Sequence, residues 1–549
     1  MYRKMFVFAL LALLVLMAGT VSAEEKVLTV GITQEPDGFG PMATMVAGTT
    51  VQAMISATAA HERTGSWDLR PTQFLQVPNV EDGSWIVNDD ETMVVHYQLR
   101  DDLYWHDGEK VTAADFKFGW EVQRDEQVPM PTRTVVNYQS EFEIVNEYEF
   151  RLHYDNLYPF ADQVLGFEAV PVHILRDVYE DNIDAFINNA YWSTEYIGYG
   201  PYKIEEWVPG SHIELVKWEP WFRGHNIDRI YVRFVTDTEA LRVMIRLGEV
   251  DVSLPPTVAF DEAYALQQEA DPEEVYVHFM PGTVWEHVDM NVRDFEPFRD
   301  VRVRQALLHG IDREEIVDVL FMGVNEVSHQ PYAPRHPLFT TEAEEEMTVY
   351  DYNPERAREL LREAGFEPDA EGVMTHTETG ERLVLNWRTT AGNRNRELVQ
   401  QIVAENWKEI GVETEIENMT ALFGDHLYRR EFPQLILFAW SSFPTSLGDT
   451  LWHSRYIPTE ENGWVGQNVA GYSNPMVDEL YDEMTVTMDP ARRAEIAAEV
   501  IKHWTADVAS LPLFFRVEPY TWRTNITGID PTGSADPTSW NIYEWDIVD

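Results

Sequence analysis

The chain has 549 residues, 94 acidic against 41 basic, giving a formal net charge of −53, and it contains no cysteine. Repulsion on that scale keeps a protein soluble and disfavours nucleic acid and anionic lipid faces as partners. The missing cysteine excludes structural disulfides, thiolate chemistry, Cys-built zinc sites and a lipid-accepting cysteine. Because the acids are spread along the chain and salt screens charge over about 8 Å, the balance reads as a solvated acidic surface, suited to a saline habitat, rather than a long-range collector of cations.

In chain order, the first feature is a basic stretch, Met1-Tyr2-Arg3-Lys4, then an apolar run from Met5 to Ala18 and the small-residue spacing Val21-Ser22-Ala23. This predicts a secretory signal over residues 1–23, with the mature chain starting near Glu24. The run is shorter than the roughly 20 residues needed to cross hydrocarbon, so stable membrane insertion is not expected. A mature length of about 526 residues exceeds what one core organises, which predicts two or three domains.

Val27 to Ile32 reads as a short buried strand running into the Pro/Gly-rich loop Glu35 to Pro41. Met93 to Leu99 alternates as a half-buried strand, and Thr112 with Asp115 forms a capping pattern before Phe116 and Trp120. Gly200 to Ile204 and His212 to Val216 predict a hairpin through Pro209-Gly210-Ser211. Asp312 with Glu315, and the pairs Asn353-Pro354, Asn474-Pro475 and Asp489-Pro490, each announce a helix start. Strands and helices alternate without tandem repeats, so the class is mixed α/β.

Taken in order, five stretches resemble extracellular solute-binding protein family 5, the peptide/nickel type of ABC-importer receptor. They are Tyr97 to Gly108 with Thr112 to Trp120; Gly200-Pro201-Tyr202 through Trp218 and Trp221; Asn291 with Val301 to Leu307 and Ile311-Asp312-Arg313; Tyr350-Asp351 to Gly365-Phe366; and Gly471 to Pro475 with Leu480. The resemblance implies a two-lobed periplasmic-binding-protein fold of type II, in the large class with an extra subdomain, whose chain crosses a hinge twice. The crossings are expected near His278 to Asn291 and Ser510 to Phe515. Lobe I would comprise 24–64, 196–284 and 511–549, with 65–195 as its extra subdomain, and lobe II would comprise 285–510.

The implied function is that of a periplasmic, non-lipidated, monomeric receptor. It would close over a small solute, an oligopeptide or similar polar molecule, and deliver it to the permease of an ABC importer, with no cofactor, no metal and no catalytic set. Oligosaccharide capture is the alternative within the family. A secreted two-carboxylate hydrolase is the rival of another class, although the chain has neither Gly-x-Ser-x-Gly nor His-Glu-x-x-His. Nickel capture would rest on 16 scattered histidines, and His106 has no second histidine at ligand spacing.

Candidate ligand-binding residues follow from strands that run into loops. Leu435 to Pro444 is such a segment, nominating Trp440, Ser441 and Ser442; Leu383 to Thr390 nominates Trp387 and Arg388. Trp285 with His287, and Asn291, lie near the first crossing, and Glu35 follows the first strand. Trp offers flat apolar area with one N–H donor, and Arg a fork for carboxylates. Peptide-binding members of the family place an Asp shortly after the Trp to hold the α-ammonium; here Ser441-Ser442-Phe443 stands there, and the next acid, Asp449, is too far along to be assigned the role unless it or Glu35 folds into place. Trp120, Trp207, Trp218 and Trp504 are assigned to the core.

Overall fold

A computed structural model describes residues 25–548 apart from 44, 45, 58, 59, 421, 423, 424 and 535, so the signal segment lies outside the described residues. An eleven-stranded mixed sheet runs through the molecule. Its middle is a pair of long antiparallel strands, Val275–Met290 and Leu511–Arg523, paired from Val275 opposite Arg523 to Val288 opposite Leu511 with register shifts between Pro281 and Trp285 and between Glu286 and His287. On one side lie Leu435–Ser441, Val384–Arg388 and Glu413–Ile416; on the other lie Val252–Ser253, Val27–Ile32, Arg229–Phe234, His212–Lys217 and Tyr202–Val208. All three strands of the first group fall between the two long strands in sequence. The chain therefore enters one half along Val275–Met290 and leaves it along Leu511–Arg523, the two crossings the motif order implies.

A separate antiparallel sheet of Trp85–Val87, Met93–Gln98, Glu149–Tyr154 and Gln139–Asn146 carries its own core, with Tyr97 and Phe150 stacked at 5.2 Å. The helix Ala113–Arg124 covers it and begins where the sequence says it should. Thr112 accepts from the Ala114 N–H, and Asp115 accepts from the Thr112 N–H at 2.8 Å, a pair of bonds that satisfies orphan donors of the first turn.

Local signals elsewhere also match the structure. Asn353, Asn474 and Asp489 each cap a helix whose first residue is Pro, and Asp312 caps Arg313–Phe321 through the Glu315 N–H. Such caps contribute about 1 kcal/mol each and set where a helix begins, whereas the packing of its apolar face decides where it lies. Of the four tryptophans assigned to the core, Trp504 is buried; Trp120, Trp207 and Trp218 are only half-buried, because each sits on an element with one face in solvent.

Candidate functional site

The first crossing strand separates two cavities by alternation, since neighbouring strand residues point to opposite faces. Val284 and Glu286 face a cavity of about 330 Å³ at the hinge; Thr283 and Trp285 face one of about 380 Å³. The second is walled by Trp440, Ser441, Ser442 and the loop to Trp452 on one side, and by Tyr138, Tyr158 and Phe160 from beside the smaller sheet on the other. Its size is within the range of small-molecule pockets, and aromatic rings and polar side chains line it in similar number.

Trp440 lies opposite Trp285 in the ladder, and Ser442 donates its N–H to Thr283 O at 3.2 Å, so the end of Leu435–Ser441 is held against the crossing strand. Trp285 is 2% exposed, donates to Ser328 Oγ at 2.8 Å and stacks on His287 at 4.0 Å between ring centroids. It is a wall, braced from behind, while Trp440 keeps a partly open face. Across the gap Tyr138 and Tyr158 stack at 5.2 Å. The Ser442 hydroxyl oxygen is buried and has no hydrogen-bond partner among the described residues.

Of the two acids left open as ammonium partners, the segment after Phe443 brings Asp449 back to the cavity. The chain turns back at Gly448, whose φ of +84° favours glycine and where a Cβ would come within 3.0 Å of the Tyr332 hydroxyl. That turn returns Asp449 to the cavity wall, at the start of the short helix Asp449–Trp452. Burial raises its carboxyl pKa above the ordinary value, against the pull of N–H groups at the helix start and of His453 and Arg455. Its carboxylate has no salt bridge among the described residues.

Four of the eight nominated residues therefore meet on one cavity: Trp285, Trp440, Ser441 and Ser442. The other four are placed elsewhere. Trp387 is fully buried against Trp407, at 5.2 Å between rings, because in Val384–Arg388 its position alternates into the core of the half bounded by the crossings. Arg388 bonds Glu431 O and the Glu417 carboxylate at an edge of the sheet. Asn291 is consumed by Phe432 O and the Arg430 guanidinium, and Glu35 by the Trp207 indole N–H at 2.8 Å and the Gly210 N–H at 2.9 Å. Polar or aromatic type near a strand end does not say which face a side chain takes; partners do.

What the sequence reading missed is supplied by distant segments. Tyr138, Tyr158 and Phe160 come from the small-sheet region, with no local motif to announce them. At the hinge cavity, Glu286 is buried between two guanidiniums: Arg396 Nε lies 3.1 Å from Oε2 and Arg516 Nε 2.9 Å from Oε1. Burial pushes the Glu286 carboxyl up, but Arg516 and Arg396 more than offset it, so its pKa lies below the usual value. Among the described residues no group of three or more His, Asp or Glu is arranged to hold a metal ion, and no helix is long and apolar enough to cross a membrane.

Residues 77–459 match the family model for bacterial extracellular solute-binding proteins, family 5. The oligopeptide-binding protein AppA of Bacillus subtilis is 23% identical over 455 residues, 82% of this chain and 80% of that protein. The dipeptide-binding protein of Escherichia coli is 23% identical over 550 residues, 95% of each. The solved oligopeptide-binding protein of Thermus thermophilus, complexed with a pentapeptide, has the same fold, with a TM-score of 0.73 at 24% identity over 94% of this chain and 96% of that one. With the motif order, the double crossing and the cavity between the halves, these matches place the chain in family 5 of the bacterial extracellular solute-binding proteins, with their two-lobed fold.

Proposed function

We propose that the chain is the exported, monomeric receptor of an ABC importer. It would hold an oligopeptide in the cavity between Trp440 and the Tyr138–Tyr158 stack and deliver it to the permease after lobe closure. The proposed lobes are 24–64 with 196–284 and 511–549, the extra subdomain 65–195, and 285–510. The observation that carries this reading is the cavity wall itself, where aromatic faces from two distant parts of the chain surround a partnerless Ser442 hydroxyl and the Asp449 carboxylate. A carboxylate desolvated without a bound cation is unfavourable, and a ligand ammonium would relieve it. Asp449 thus takes the role of α-ammonium partner, and contacts on both walls favour the closed form.

Ligand at 100 times its dissociation constant adds about 2.7 kcal/mol to stability, so a thermal-shift screen on residues 24–549 tests the reading. Peptides with free amino termini raise the melting temperature, and N-acetylation of the same peptides removes most of the shift. An oligosaccharide that shifts the curve while peptides of every length leave it unmoved overturns the peptide assignment and favours the sugar-binding alternative.

A further inference from the structure

Beyond the cavity at Trp440 lies a second, of about 560 Å³, sharing Tyr158, Phe443 and Thr445 with it. Its charged lining is small enough to account for. Arg63 is committed to Asp536, at 3.2 Å, and to the Gln163 amide oxygen, at 3.1 Å. His61 is buried, which lowers its pKa to about 4 and leaves it neutral. Glu168 remains. It accepts one hydrogen bond, from Gln52 Nε2 at 2.9 Å, and has no cation partner among the described residues. The same amide lies 3.4 Å from the Tyr196 hydroxyl, so Gln52 is fixed by two neighbours and holds the carboxylate in place. Val135, Leu165 and Phe167 form apolar walls beside it.

We infer that this second cavity is a side-chain subsite for a basic residue of the ligand, a lysine or arginine whose charge meets the Glu168 carboxylate while its aliphatic stem lies along the apolar walls. The inference rests on the reading of the first cavity as the ligand's main site, since the two cavities share Tyr158, Phe443 and Thr445 in their walls. Its chemistry is that of a charge-assisted hydrogen bond to a group that lacks a counter-charge in the free protein. Long basic side chains suit such a slot because their stems are apolar and their heads are not. Burial, only partly countered by the Gln52 hydrogen bond, raises the Glu168 carboxyl to about 7, in keeping with a desolvated acid awaiting a cation. Arg63 and Asp536 neutralise each other, so an acidic side chain would gain nothing there.

Calorimetric titration of the mature chain with peptide sets that differ at one position tests it, the position carrying Lys, Arg, norleucine or Glu in turn. At one position, Lys and Arg bind at least about tenfold more tightly than norleucine, and Glu more weakly. Glu168→Gln, which keeps shape and the Gln52 neighbour, removes the preference, so that Lys and Arg bind no more tightly than norleucine. Equal affinity for Lys and norleucine at every position of the wild type overturns the subsite, a result that needs no variant; so does a preference that survives in Glu168→Gln. If no peptide binds, the reading of the main site fails separately, and an alkyl diamine then probes the subsite alone. A melting shift with the diamine in wild type that is lost in Glu168→Gln sustains it, and no shift overturns it.

Discussion

The two faces of the first crossing strand carry cavities of similar size whose central carboxylates differ in pairing. On the hinge face, Glu286 is ion-paired with both Arg396 and Arg516, although in the same cavity Glu518 is desolvated with no salt bridge, and the buried Asn325 Oδ1 has no partner, among the described residues. On the other face, the Ser442 hydroxyl has no partner and Asp449 is desolvated with no salt bridge among the described residues. Buried polar groups are normally satisfied, so the Glu286 ion pairs are accounted for within the fold, while the Ser442 hydroxyl and the Asp449 carboxylate are the groups on which the proposed ligand contacts rest. The same contrast separates two tryptophans that look equivalent in the sequence: Trp387 is closed in the core against Trp407, and Trp440 keeps a face open to the cavity.

Substitutions that divide stability from binding break or sharpen this contrast. The largest effect is expected for Trp387→Ala, which should destabilise its half by about 3–5 kcal/mol by leaving a void, with ligand affinity of the folded fraction unchanged. Denaturant unfolding alongside calorimetry reads both; a weakened affinity with native stability would return Trp387 to the site. Glu286→Ala should follow, at about 3 kcal/mol in the same unfolding experiment, because Arg396 is left buried without its counter-charge. A smaller loss is expected if Arg516, which is 42% exposed, turns to solvent and takes part of the strain with it.

Trp440→Ala should reverse that pattern, lowering ligand affinity about 10- to 100-fold by calorimetry while the melting temperature of the free protein moves little. If stability falls as far as in Trp387→Ala, Trp440 belongs to the core and the contrast fails. The smallest effect is expected from Glu168→Gln on the free protein. The Glu168 pKa is raised on folding, so the acid contributes no penalty below the ordinary carboxyl range, and one that grows until pH exceeds about 7. The variant should therefore melt about 1 °C higher than wild type at pH 8, for about 1 kcal/mol after screening through the cavity mouth, and close to wild type at pH 5. A variant that melts lower at both values would show that the carboxylate is already paired.

Much of the scaffold was legible because its signals are local. The strand Val27–Ile32, the hairpin through Pro209-Gly210-Ser211 and the helices begun by Thr112, Asp312, Asn353, Asn474 and Asp489 depend on turn chemistry and capping within a few residues. The site was legible only in part. Trp440 to Ser442 can be chosen as a strand end, but the sequence leaves open whether Asp449 or Glu35 reaches the site, because distance along a chain says nothing about a turn as tight as the one at Gly448.

By itself, the sequence determined the α/β class, the order of elements, the helix starts and, through the order of its motifs, the family and its double crossing. These follow from side chains acting on their own backbone or from patterns spread over the whole length. Tertiary structure alone decided which face of each strand met a cavity, and with it the fate of Trp387, Arg388, Asn291 and Glu35. It alone brought Tyr138, Tyr158 and Glu168 opposite residues some 300 positions away. The physical reason is that a buried polar group is defined by its partners, and those partners are chosen by packing rather than by sequence neighbours.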